Sequence, residues 1–225
     1  METGLLSGLF PLGVSEMKKI IGFTFLFAGI LLGIYTFIQW YTSVSSAEEY
    51  NTADKKEAEA IIKETLDQES VKKQPPKESL AVLAGDENYQ TGEKVAMLSI
   101  PKIEKKFSIF WGTDEDTLTK GVGMMESDST TVPAGKRHTV LSGHRDTVFV
   151  ELGELVEGDH LLVSMDGIDY TYQITDIWIT DDDDRTVIVP KETATLTLTT
   201  CYPFDFVGHA EQRYIIQGEL VGEIK

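Results

Sequence analysis

There is no second cysteine in the 225 residues. Cys201 therefore cannot close a disulfide within the chain, and a zinc site built on several thiolates is excluded. Basic charge is also scarce: 20 Lys and Arg stand against 37 Asp and Glu, a net charge of −17. That balance argues against nucleic acid as a partner, because phosphate binding needs a basic face. No internal repeat is present. What remains is ordinary for a globular protein, with 41% hydrophobic and 25% charged residues. The length suffices for one medium domain with attachments.

Long apolar runs are missing but for one. A patch around residues 5–12 is too short to cross a bilayer. Residues 20–41 carry no charge, and about 20 apolar residues make a spanning helix. Lys18 and Lys19 precede the run, Trp40 and Tyr41 close it, and Glu48 and Glu49 follow. Positive-inside bias puts residues 1–19 in the cytoplasm and everything after Tyr41 outside the cell. Met17, just before the two lysines, is an alternative start, and a cleaved signal peptide is the alternative to an anchor. Residues 42–94 are polar. Helix-forming composition over 47–68 carries only Ile61, Ile62 and Leu66 as an apolar face, and Pro75-Pro76 ends any helix. The expectation is a solvated stalk that lifts a domain at 95–225 off the membrane.

That domain reads as short strands with few helices. Residues 96–100, 107–111, 137–142, 160–165, 170–180, 193–200 and 214–221 have strand character, and 148–155 and 185–190 are further short apolar or extended pieces. Residues 114–120 predict a short helix capped by Thr113 or Asp114. Eight or so strands argue for a mainly antiparallel barrel or sandwich. Asp181–Asp184 is an acidic loop. Its four consecutive carboxylates lack the alternating spacing of a calcium loop, so a solvated loop is expected and no metal is called for.

Cys201 ends the Thr and Leu strand at 195–200, where Pro203 stops the ladder. A lone thiol can be simple packing. In an exported protein it is also a hazard, so keeping it suggests use. Its partner for proton transfer has four candidates. His138 and His160 sit at strand starts, where exposed structural histidines are common. His209 lies in the loop after Cys201. His144 projects from a strand end behind Gly143. Arg213, on the next strand, offers a fixed fork of donors for an oxyanion.

Ser142-Gly143-His144-Arg145-Asp146-Thr147, Thr197-Leu198-Thr199-Thr200-Cys201-Tyr202-Pro203-Phe204 and Gln212-Arg213-Tyr214-Ile215-Ile216 resemble the three signatures of the sortase family. The opening residues 98–103 and 121–123 also match its early pattern, and the Cys-Tyr-Pro-Phe continuation is most similar to class D. The resemblance implies an eight-stranded sortase-type β-barrel with short helices, preceded by one transmembrane helix and the polar stalk. It implies a cysteine transpeptidase that needs no cofactor. Cys201 would attack after Thr in a Leu-Pro-x-Thr-Gly or Leu-Pro-x-Thr-Ala sorting signal, His144 would move the protons, and Arg213 would hold the oxyanion or the peptide. The partners would be surface proteins of a Gram-positive cell bearing that signal, and a cell-wall amine on lipid II or a peptidoglycan cross-bridge. Leu98, Ile179, Val187 and Val189 are candidates for the peptide groove, with core packing as the alternative for each; Thr199 and Thr200 are candidates for a hydroxyl near the sulfur, with a plain strand role as the alternative, and His209 for a residue facing the site.

Two other readings compete. A cell-wall cysteine peptidase would hydrolyse the same thioester, but such enzymes usually carry Cys before His, the reverse of the order here. A non-catalytic anchored binding domain would have no need of Cys201, His144 and Arg213 together.

Overall fold

The computed structural model describes residues 14–44, 47–69, 89–205, 208 and 210–225. It divides into two compact units, 1–41 and 42–225. The helix α1 (Val14–Val44), which contains no proline, lies in the first as far as Tyr41. Met17–Ile38 is long and apolar enough to cross a membrane. Its 22 residues rise about 33 Å, against a hydrocarbon core of about 30 Å. Phe23, Phe25, Leu31 and Phe37 are all exposed, so apolar side chains point outward around the helix. Its two threonine hydroxyls within that stretch bond back to the helix: Thr24 Oγ1 donates to Ile20 O at 2.9 Å and Thr36 Oγ1 to Leu32 O at 3.0 Å.

The second unit is a closed barrel. Its strands are β2 (Lys94–Ile100), β3 (Lys105–Trp111), β4 (Val122–Met124), β5 (His138–Ser142), β6 (His160–Met165), β7 (Ile168–Asp181), β8 (Thr195–Tyr202) and β9 (Gln212–Ile224). They run in the order β3-β2-β6-β7-β9-β8-β5-β4, and pairing of β3 with β4 closes the ring of eight. A three-residue strand, β1 (Ala47–Glu49), adds to the outside of β3. Pairing is mainly antiparallel, with two parallel contacts, β3–β4 and β5–β8. The core follows from alternation. Leu98 and Ile100 on β2, and Phe107, Ile109 and Trp111 on β3, point inward with at most 2% exposure. They meet Phe149, Leu161, Leu198 and Ile216 inside the barrel.

Several expectations change. Residues 148–155 form turns and a short 3-10 helix (Leu152–Glu154), and 185–190 join no ladder. The short helix α3 (Glu115–Leu118) is capped by Asp114, whose carboxylate accepts from Thr117 N and Oγ1 and is thereby held below its ordinary range. The polar stretch at 42–94 is partly folded onto the barrel rather than standing free. Asn51 and Asp54 form a reciprocal cap on α2 (Thr52–Glu69), with Asn51 Oδ1 accepting from Ala53 N and Asp54 Oδ2 from Asn51 N. Ala58 and Thr65 of α2 are buried, and Thr65 reaches Thr171 on β7 at 3.3 Å. Lys106 donates to Asp54 at 2.6 Å, and Lys55 pairs with Glu104. Gly222 on β9 makes the approach possible, since a Cβ there would lie 2.4 Å from Thr65 Cγ2.

Candidate active site

β5 and β8 run parallel, with Ser142 opposite Thr199. Two residues beyond each lie His144 and Cys201, so the offset of 57 (199 − 142, and 201 − 144) brings both to the same end of neighbouring strands. The antiparallel ladder on the other side of β8 puts Arg213 opposite Cys201. Three motifs far apart in sequence thus converge from three adjacent strand ends. All three residues line one cavity of about 330 Å³.

The backbone before His144 is held tightly. Gly143 N donates to Thr199 O at 3.2 Å, and Thr200 Oγ1 donates to Gly143 O at 2.7 Å. Thr200 lines the cavity, but its hydroxyl is committed to that carbonyl. The chain then turns, with Phe149 N donating to His144 O at 3.0 Å. Gly143 cannot carry a side chain there, because a Cβ would meet Val148 Cγ2 at 2.6 Å and Phe149 Cδ2 at 2.8 Å. Arg145, 8% exposed, crosses to the loop after Cys201. Its Nη1 donates to Pro203 O at 3.1 Å and its Nη2 to Gly208 O at 2.7 Å. This buried guanidinium ties the histidine-bearing turn to the cysteine-bearing strand end.

His144 is one-third exposed, with Nε2 3.7 Å from Glu115 Oε1. Glu115 is largely in solvent, so the attraction is weak. Cys201 is half-buried and free. Arg213 Nη1 donates to Ala210 O and Gln212 O, both at 3.0 Å. Its Nη2 stands 3.8 Å from Asp182 Oδ2, beyond hydrogen-bond range. The site therefore holds a thiol, an imidazole and a guanidinium around one opening, the set that acyl transfer through sulfur needs.

The other expected site residues divide. Thr199, Thr200 and Val187 line the cavity. Leu98 is in the barrel core with no exposure, and Ile179 is 42% exposed on β7; neither lines the cavity. Val189 is not part of the lining either. Its neighbour Ile188 takes that place, together with Thr113, Leu118, Met125 and Ile215. Asp181, Asp182 and Asp183 are exposed, as a solvated acidic loop is, and Asp181, Asp182 and Asp184 also line the cavity. Asp184 accepts from the hydroxyls of Thr180 and Thr186, which hold its carboxyl below the usual range. His209 lies outside the described residues. His138 is fully buried rather than exposed, and His160 is half-buried. Among the described residues no cluster of His, Cys, Asp and Glu could hold a metal.

Residues 98–221 match the family described as "Sortase domain". Sortase D of Bacillus subtilis (strain 168) is 45% identical over 133 residues, which cover 59% of this chain and 66% of that protein. Sortase A of Listeria monocytogenes is 29% identical over 215 residues, 91% of each chain. Among solved structures, the catalytic domain of SrtD from B. anthracis is 58% identical with a TM-score of 0.55, covering 64% of this chain and 99% of that one.

Proposed function

The chain belongs to the sortase family, and from that premise we propose that it is a membrane-anchored cysteine transpeptidase acting through Cys201. The observation that carries this reading is the convergence of Cys201, His144 and Arg213 on one cavity. With the thiol proton held on His144, the Cys201 thiolate attacks the carbonyl of Thr in a Leu-Pro-x-Thr-Gly or Leu-Pro-x-Thr-Ala sorting signal. A C–S bond forms, the C–N bond breaks, and His144 gives its proton to the departing amine. In the second half an incoming cell-wall amine attacks the thioester, His144 takes its proton, and the thiolate leaves. Arg213 donates to the oxygen that gains charge in both tetrahedral intermediates, where a preorganised donor has most effect. Splitting one amide exchange into two acyl transfers lowers each barrier. Apolar lining from Leu118, Val187, Ile188 and Ile215 suits the Leu-Pro part of the signal.

Residues 20–41 serve as the anchor, with 1–19 in the cytoplasm, and the region from 95 onward is the catalytic domain on the outer side. The charge pattern of Lys18 and Lys19 before the helix and Glu48 and Glu49 after it supports this orientation. The test uses the full chain in detergent, a peptide bearing Leu-Pro-x-Thr-Gly or Leu-Pro-x-Thr-Ala, and an amine. A covalent mass adduct on Cys201, absent from Cys201→Ala and resolved to an amide product by the amine, is expected. No adduct with any such peptide would favour an anchored binding domain, and an adduct released only to water would favour a peptidase.

A further inference from the structure

Val187 and Ile188 belong to residues 182–194, which leave β7 and return to β8 without joining a ladder. Val187 also lines a second cavity of about 440 Å³, with Asp176, Trp178, Thr186, Lys191 and Gln217. It is thus a thin partition between the two, itself only 6% exposed. The segment that carries it joins no ladder, so the position of this wall depends on how its backbone is tied down.

The ends of the segment are held by Asp182 N, which donates to Glu211 O at 2.9 Å, and by Ala194 O, which accepts from Leu220 N at 2.9 Å. Between them His138 reaches Val189, with Nδ1 2.7 Å from Val189 O. A carbonyl only accepts, so Nδ1 carries the proton. Burial holds His138 below its ordinary value, in the neutral form. Nε2 is then an acceptor, and Thr197 Oγ1 donates to it at 2.8 Å. Thr197 in turn accepts from Gln217 Nε2 at 3.1 Å, and Gln217 Oε1 accepts from Lys191 at 3.3 Å. Every role in the chain is filled, which makes such a network rigid. Pro190 adds to this by confining Val189 to extended backbone, so its carbonyl has a set direction.

We propose that His138 is a positioning residue for the sorting-signal pocket: its buried Nδ1–H holds the Val189 carbonyl and so keeps Val187 and Ile188 against the bound peptide. It touches no substrate atom. Its contribution lies in binding, and the sulfur chemistry at Cys201 is left alone. This inference rests on the function proposed above.

Two conservative substitutions separate the roles of the two ring nitrogens. In His138→Asn the side-chain amide sits where Nδ1 was, keeping the tether to Val189 and giving up Thr197. In His138→Gln the amide sits near Nε2, keeping Thr197 and giving up the tether. In the full-length protein, His138→Gln raises KM for the sorting peptide by about tenfold, the size of one lost hydrogen bond, with kcat within about twofold. His138→Asn stays near wild type. Amide hydrogen exchange over residues 186–192 quickens in His138→Gln alone. Equal KM in the two variants, or unchanged exchange in His138→Gln, overturns the proposal. Should His138→Asn not fold, Thr197→Val takes its place, since it also leaves the Val189 bond intact. If wild type turns over no Leu-Pro-x-Thr peptide, the proposed function fails, and the exchange comparison still decides the tether.

Discussion

At the scale of single residues, the site is built from constraints on side chains that do no chemistry themselves. Gly143 is one. It sits between the β5 ladder and His144, and any Cβ there overlaps Val148 and Phe149. Gly143→Ala must push either the core or the imidazole aside. Overpacking of this kind costs about 1–3 kcal/mol, and a 1 Å misplacement of a reacting group costs about 10²-fold in rate. The expected outcome is a lower melting temperature and a kcat/KM reduced at least about tenfold, while Cys201 still reacts with a small thiol reagent. Unchanged kcat/KM would mean that the turn absorbs the methyl. Arg145 works in the same sense, since its two bonds to Pro203 O and Gly208 O leave the loop after Cys201 little freedom to drift from His144.

At the scale of elements, helix α2 is fixed by a small residue on the strand beneath it. Gly222→Val on β9 would thrust a branched side chain into Thr65. The helix should then lift while the barrel persists, seen as loss of amide exchange protection over residues 52–69 with β7 and β8 still protected. Protection that survives in α2 would refute this. The packing of α2 was hard to read in sequence because its contact face is small and polar: Ala58 and Thr65 are buried, and Thr bonds to Thr. The β8 strand shows the same limit. Alternation of Thr and Leu marks the strand, which runs one residue past Cys201 to Tyr202, and its own motif and the two on the neighbouring strands are legible as residues. Yet Thr195 and Thr197, on the opposite face, are as buried as Leu196 and Leu198. Residues 182–194 cover the Thr face, and a segment without periodicity announces no such covering. For the same reason His138 reads as exposed and Val189 reads as a groove residue in place of Ile188. Period 2 tells which residues share a face, and it is silent on what lies over that face.

For the whole molecule, acid acts through two opposed effects. His138 and His160 are pushed below their ordinary value of 6.5 by burial. Asp54, Asp114 and Asp184 are held low by hydrogen bonds. In each case the unfolded chain binds a proton more readily than the folded one, so stability rises with pH in the titration window. The histidine contribution is complete above 6.5 and is lost as pH falls below it. The carboxylate contribution is complete above the ordinary 3.8 and is lost below that. Against this, acid relieves the self-repulsion of a net charge of −17. At about 0.5 M salt that repulsion is screened within a few ångströms, and the site-specific terms dominate. The melting temperature at high salt should therefore drop between pH 7 and pH 5, and a flat or rising trace would contradict the assignment. The parallel pairing of β5 with β8 reaches further. The ladder brings Ser142 beside Thr199, so the alignment of His144 with Cys201 does not depend on the length of the β6–β7 turn at Asp166 and Gly167, which lies between them in sequence and outside the cavity lining. A longer turn there is absorbed at small entropic cost with the site unchanged.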